Sequence, residues 1–416
     1  MTASTKTGGR EATRGIIPGR FALSVGRPPL PEPDGFRWVP LSSVARLESG
    51  HTPARGRDEY WGGEVPWIGI RDATGNHGRV IFDTEQHVTQ AGLDNSSARL
   101  LPAGTVCLSR TASVGFVVTM GVPMATSQDF VNWVCGPRLN PRYLHYVLLA
   151  EQDSVRRFAH GTTHQTMYYP EAKALQILAP DRPGQDAIVE VLGALDDKIA
   201  ANTRLVSTTD ALATALIRSV ITEKRVALAS LANVVMGSSP PGESYNESGI
   251  GTVFYQGVRD FGVRYPANRV WTTQPVRMAH PRDTLVSVRA PVGRTNLASE
   301  STCIGRGLAA VRSTADRPMT LFHLLRNDPE AWGPYEAEGT VFGSINRRHL
   351  EALLLPAVDR QQSDDLEVQL AALEERIASA ITESGILANT RDTLLPLLMS
   401  GRVRVKDAET TVKGVV

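Results

Sequence analysis

The chain is poor in the features that would tie it to several large protein classes. It has only three cysteines in 416 residues, Cys107, Cys135 and Cys303. None of them stands at the spacing of a zinc site or redox pair, which argues against a disulfide framework and for a reducing, cytoplasmic compartment. No run of about 18 apolar residues exists, so nothing reads as a membrane span. The apolar patch at residues 21–25 is too short for the core of a signal peptide. Catalytic signatures are missing as well. Ser239-Pro240-Pro241-Gly242 has the paired prolines of an amino-methyltransferase motif without the aromatic that stacks on a flipped base, and it reads as a turn. Glu171-Ala-Lys173 has the Glu-x-Lys of a nuclease metal site, but Pro180-Asp181 follows it instead of preceding it. Gly249-Ile-Gly251 and Gly305-Arg-Gly307 lack the third glycine and the strand-to-helix setting of a dinucleotide site. His160 and His164 flank Gly161-Thr162-Thr163, which breaks a helix and with it a two-histidine metal face. The residues therefore name no catalytic group, no metal and no cofactor.

Lysine is absent from residues 251–326, although eleven arginines stand there against Asp260, Asp283, Glu300 and Asp316. Overall, 44 Lys and Arg nearly cancel 43 Asp and Glu, so this is a basic region in a neutral chain. Arginine favours two-pronged hydrogen bonding to phosphates and guanine edges. Residues 364–392 are acidic by contrast, with Asp364, Asp365, Glu367, Glu374, Glu375, Glu383 and Asp392.

Two stretches carry a heptad. Ile188, Leu192, Leu195, Ile199, Val206, Ala213, Leu216 and Val220 alternate steps of four and three through two polar positions, Asn202 and Thr209. A second seam starts 178 residues later, with Leu366, Leu370, Leu373, Ile377, Ala380, Ser384, Leu387, Arg391, Leu394 and Leu398. Neither helix is apolar all round, so each needs a partner, and its own copy supplies a matching stripe. About 35 residues span roughly 50 Å, which suits a spacer. Gly385 and Pro396 weaken the last turns of the second helix.

The segments before the helices also repeat. Gly50 with Pro53 is answered by Gly237 with Pro240, each expected to stop a short helix. Val65-Pro-Trp-Ile-Gly-Ile-Arg-Asp72 is answered by Val253-Phe-Tyr-Gln-Gly-Val-Arg-Asp260, a strand entering an Arg-Asp loop. Strand-turn-strand signals with an arginine at the turn recur at Arg110 and Arg289. Ala125-Thr-Ser-Gln-Asp-Phe130 corresponds more loosely to Cys303-Ile-Gly-Arg-Gly-Leu308. A helix is expected over 141–157 and its copy over 319–326, followed by Gly161-Thr-Thr-His-Gln-Thr166 and Gly339-Thr-Val-Phe-Gly-Ser344.

The fold class is thus α+β, with two tandem globular domains separated by a pair of long antiparallel coiled-coil helices under an internal pseudo-twofold axis. The expected boundaries are a flexible leader at 1–35, a first domain at 36–183, a helix at 184–224, a second domain at 225–358, a helix at 359–405 and a frayed tail at 406–416. With catalysis unsupported, the loops point to binding. Arg71, Arg110, Gln128, His164 and Gln165 in the first domain are the residue types that read base edges and grip phosphates. Arg259, Arg289, Arg294, Arg306, Asn346 and Arg347 supply the same chemistry in the second. The bland reading of Arg71 and Arg259 is an ion pair with the adjoining Asp72 and Asp260.

In its doubled order of motifs, including Val39-Pro-Leu-Ser-Ser-Val-Ala, Ala125-Thr-Ser-Gln128 and the closing Leu394-Leu-Pro-Leu-Leu-Met-Ser-Gly-Arg-Val403, the chain resembles the specificity subunits of type I restriction-modification systems over roughly residues 38–405. The resemblance implies two target-recognition domains, each reading one half of a split double-stranded DNA sequence, with the helices as a ruler. It also implies a non-catalytic subunit partnered by two DNA adenine methyltransferase subunits and a restriction/translocase subunit, with S-adenosylmethionine, ATP and Mg on those partners. Gly184-Gln185-Asp186 and Arg360-Gln361-Gln362 stand where relatives often carry Glu-Gln before each helix. Two other readings remain at this point: a stand-alone nuclease or methyltransferase with a recognition domain, and a coiled-coil scaffold.

Overall fold

The computed structural model describes residues 15–161, 165–335, 343–359 and 363–415. The chain divides into two compact units, Met1–Ile199 with Gly385–Val416, and Ala200–Ser384. Each is built on one strand order. In the first unit a sheet runs Ala45–Ser49, Phe130–Cys135, Val106–Ser109, Val117–Met120, Arg79–Ile81. In the second the order is Ala232–Met236, Leu308–Ser313, Thr284–Ser287, Thr295–Leu297. The duplication read from the motifs is therefore a duplication of topology.

Strand alternation feeds two cores in each unit. Val106, Leu108 and Val117 pack with Tyr143 and Val147 of the helix Pro141–Ala150, while Cys107, Val118 and Met120 face Ile68 and Phe130. In the second unit Val286, Ala309 and Val311 pack with Phe322 and Leu325 of Pro318–Arg326, and Leu285, Leu308 and Ala310 face Tyr255 and Ile304. Both faces of the central strands are thus buried.

Several boundaries differ from the sequence reading. The expected helix at 141–157 is broken at Glu151 into Pro141–Ala150 and Gln152–Phe158. Glu151 is almost fully buried, and its carboxylate accepts the N–H groups of Arg20, Phe21, Ala22 and Leu23 at 2.5–3.1 Å. Those bonds satisfy a charge that burial would otherwise penalise by several kcal/mol, on the order of the cost of an unpaired ion. They also correct the flexible leader: Leu23–Val25 pairs with Leu175–Ala179, and Ala22, Leu23 and Val25 lie in the core. Residues 1–14 lie outside the described residues. The tail is likewise ordered, as a helix Val405–Lys413 with Ala408 and Val412 buried in the first unit. Gly50 and Gly237 follow strands, not helices. A Cβ would lie 1.9 Å from the Ser127 oxygen at Gly50 and 2.1 Å from the Gly305 oxygen at Gly237, so close backbone approach is what requires glycine.

The first long helix is Arg182–Val220, 39 residues, followed directly by the strand Ile221–Ala227. It starts earlier than expected because the Asp181 carboxylate caps the Gly184 N–H at 3.0 Å and Pro183 suits the first turn. The second, Ser363–Met399, runs through both Gly385 and Pro396. Proline costs about 3 kcal/mol inside a helix and glycine about 1. Leu387, Leu394, Leu395 and Leu398 are buried here, and at about 1.5–3 kcal/mol per side chain they outweigh that cost. Gly401, at φ +66°, then ends the run.

Most heptad positions are buried, while Ile199, Val206, Leu216, Val220 and Leu373 are half-buried. In the first unit Ile188, Leu192, Leu195 and Ile199 join the core with Leu387, Leu394 and Leu398, and Arg391 pairs with Asp196 at 2.9 Å. In the second, Ala213 and Ile217 meet Leu366, Leu370 and Leu373, and the Asn202 amide donates to Glu383 at 2.7 Å. Ile377 is fully buried. Within each unit, then, the two helices lie antiparallel.

Candidate nucleic-acid interface

In the first unit, five segments meet beyond the sheet. The Arg110 N–H donates to the Asp129 carbonyl at 2.7 Å, and the Met167 N–H to the Arg110 carbonyl at 2.8 Å. The Ser127 N–H donates to the Ile68 carbonyl at 3.0 Å, and His51 to Thr126 at 2.8 Å. Arg71, Arg110, Gln128 and Gln165 are thereby carried on converging segments. The Arg110 guanidinium lies 4.9 Å from the Tyr169 ring centroid, and its Nε donates to the Gln128 carbonyl at 3.1 Å, so its terminal nitrogens are aimed before any ligand arrives. Gln128 accepts from the Thr52 hydroxyl. Gln165 is exposed, and His164 lies outside the described residues.

The Arg-Asp motifs resolve in the same way in both units. Asp72, in the helix Ile70–Gly75 instead of a loop, accepts from the Gly69 and Glu85 N–H groups at 2.8 and 2.9 Å. Asp260, in the turn Val258–Asp260, accepts from the Gln256 N–H at 3.0 Å and from Arg269 at 3.0–3.1 Å. Both aspartates are buried and occupied by the backbone around them. Exposed Arg71 and Arg259 form no carboxylate pair among the described residues.

In the second unit the loops again converge. The Val288 N–H donates to Gly307 at 2.9 Å, the Gly305 N–H to Tyr255 at 2.8 Å, and Ser238 to Ile304 at 3.0 Å. Arg259 and Arg289 line one cleft of about 370 Å³, with Gln256 and the stacked rings of Tyr245 and Phe254. Arg294 and Arg306 are exposed on the adjoining turns. Asn346 and Arg347 have duties inside the fold. Asn346 caps its helix by accepting from His349 at 2.9 Å, and Arg347 pairs with Glu351 at 2.8 Å.

The basic stretch is much less basic in space. Arg264, Arg269, Arg282, Arg312, Arg317 and Arg326 all pair with carboxylates, three of them on Asp364, Glu367 and Glu374 of the acidic helix. Arg312 donates two hydrogen bonds to the Asp283 carboxylate, and these raise its guanidinium above its ordinary value. Arg259, Arg277, Arg289, Arg294 and Arg306 have no such pair among the described residues. Sequence reasoning missed Arg55, stacked over Trp61 and Trp67 at 4.1 and 4.9 Å, and Gln256, which lines the cleft with Arg259 and Arg289. Their only signal was position next to the repeated glycine and Arg-Asp motifs.

Residues associated with the excluded chemistries have other surroundings. Glu171 is buried in the short helix Tyr169–Lys173, and the Pro240 carbonyl accepts from the Tyr245 hydroxyl at 2.9 Å in a turn. Burial raises the Cys107 thiol and pushes that of Cys135 up to about 12. Among the described residues no helix is long and apolar enough to cross a membrane.

Residues 33–207 match the family model described as the type I restriction modification DNA specificity domain. The chain is 34% identical over 176 residues to the type I restriction enzyme MjaX specificity subunit of Methanocaldococcus jannaschii, covering 42% of this chain and 41% of that one. It is 28% identical over 161 residues to the MjaIX specificity subunit of the same organism, covering 38% and 37%. The chain thus spans about two fifths of the length of these curated relatives. The crystal structure of a type I restriction-modification S subunit from M. genitalium matches with a TM-score of 0.61 over 89% of this chain and 98% of that one; at 15% identity this shows a shared fold. Residues 33–207, about two fifths of the chain, are thus similar to the type I restriction modification DNA specificity domain.

Proposed function

We propose that this chain is the specificity subunit of a type I restriction-modification complex, that each unit reads one half of a split duplex sequence, and that the two long helices set the length of the unspecified gap. One observation carries the reading most: a module matched to DNA specificity domains recurs in the same chain with the same order of four strands, and both copies present arginines without carboxylate partners among the described residues on convergent loops. Helices of 39 and 37 residues support the ruler role, because each exceeds the roughly 34 Å of one duplex turn at about 1.5 Å per residue.

On this reading the chain performs no chemistry. Two adenine-methylating subunits and a restriction/translocase subunit supply it, together with S-adenosylmethionine, ATP and Mg, and the complex works in the cytoplasm. Arg71, Arg110, Gln128, Gln165, Arg259, Arg289, Arg294 and Arg306 are the contact set, and His164, Asn346 and Arg347 are further candidates by residue type.

Duplex binding by the full chain, measured across salt concentrations, tests the reading. Binding is expected to weaken steeply with salt because phosphate contacts release counterions. Salt-independent or absent binding would favour a protein scaffold. DNA cleavage by the purified chain with Mg²⁺, or methylation with S-adenosylmethionine, would make it an enzyme.

A further inference from the structure

The two units share a scaffold but differ at one point beside the Arg-Asp motif. In the first unit, the residue just upstream whose N–H donates to the buried aspartate is Gly69, which has no side chain; a Cβ there would sit 3.3 Å from the Trp67 ring. In the second unit that role belongs to Gln256. Arg55 covers the aromatic pair Trp61–Trp67 of the first unit, whereas in the second the stacked rings of Tyr245 and Phe254, 4.9 Å between centroids, line an open cleft with Gln256.

The backbone under Gln256 is held on both sides. Its N–H is bound by Asp260, which Arg269 holds in turn. Its carbonyl lies against Gly307, where a Cβ would be only 2.5 Å away, so no larger residue allows that approach. The carboxamide itself is exposed and has no hydrogen-bond partner among the described residues. A fixed backbone with an unspent donor and acceptor is the arrangement that reads a base edge with little ordering cost.

We propose that Gln256 determines specificity in the second unit by pairing through its carboxamide with an adenine edge in the major groove, between Arg259 and Arg289. A glutamine amide matches adenine N6 and N7 in two-pronged fashion, and no other base presents that pattern. This inference rests on the proposed function and sharpens it to one residue and one base.

The test selects a pool of randomised duplexes with the full chain, co-produced with the methylating subunits, and sequences the bound fraction. The native chain is expected to demand an A·T pair at one position of the second half-site. Gln256→Ala should lose about 5- to 150-fold discrimination at that position alone. The first half-site, selected by the same molecules, reports that the variant is folded. An unchanged motif, or equal relaxation in both halves, overturns the role of Gln256. If the native chain selects no motif at all, the proposed function itself fails.

Discussion

Replacing Arg264 with methionine should destabilise the second unit by about 3–5 kcal/mol, the usual cost of removing one partner from a buried ion pair. Arg264 is 1% exposed. Its Nε lies 3.2 Å from Glu374, its Nη2 meets Asp210, and its guanidinium is 5.0 Å from the Phe322 ring centroid. Asp210 keeps Arg326 at 2.9 Å when Arg264 is lost, but among the described residues Glu374, 4% exposed, is left with His323 alone, at 3.0 Å. The stranded carboxylate is the source of the loss. Arg264→Met combined with Glu374→Met removes both charges and should recover most of it, because apolar replacement of a whole buried pair is often neutral. Arg264 also ties the strand Thr295–Leu297 to the long helices within its unit, since its carbonyl accepts from Leu297 at 2.9 Å while its side chain reaches both helices. Hydrogen exchange on the full chain, read at residues 284–313, measures the effect where it should fall. A single variant costing less than about 1 kcal/mol, or a double variant as unstable as the single, would refute the reasoning.

Arg110→Ala and Arg289→Ala should each weaken specific duplex binding by about 1–3 kcal/mol and relax only their own half-site; equal losses on every sequence would demote them to phosphate grips. Burial pushes His145 down to about 4 from the ordinary 6.5, and its Nδ1 shares a hydrogen bond with Thr119 at 2.8 Å. Folded His145 stays neutral while the unfolded chain takes up a proton below 6.5, so this contribution is fully present above 6.5 and is lost as pH falls toward 4. The first unit should therefore lose about 3 kcal/mol across that window. Urea unfolding at stepped pH checks this, and a slope that persists in His145→Gln would assign it elsewhere.

The helices and the duplication were legible because both are periodic. Heptad slots such as Leu192 and Leu370 announce their burial through spacing alone. The repeat likewise exposed Gly50 and Gly237, although their reason is a backbone contact that no local rule contains. Glu151 was opaque for a related cause: its partners lie about 130 positions away, so a polar residue inside an apparent helix gave no sign that it capped the leader. Charge counting misled in the basic stretch because Arg264, Arg282 and Arg317 find carboxylates on a helix distant in sequence. Arg110 shows what remains readable at the site: its position at a repeated turn was visible, whereas its support by Tyr169 was not.

The most direct measurement is methylation-footprint sequencing of DNA from cells carrying the complete system, with the native chain and with a chain lengthened by one heptad in both long helices. Two fixed half-sites with a constant gap are predicted for the native chain, and the same half-sites with a longer gap for the extended one. A continuous target, or a gap that ignores the added heptads, would contradict recognition by two modules at a distance set by the helices.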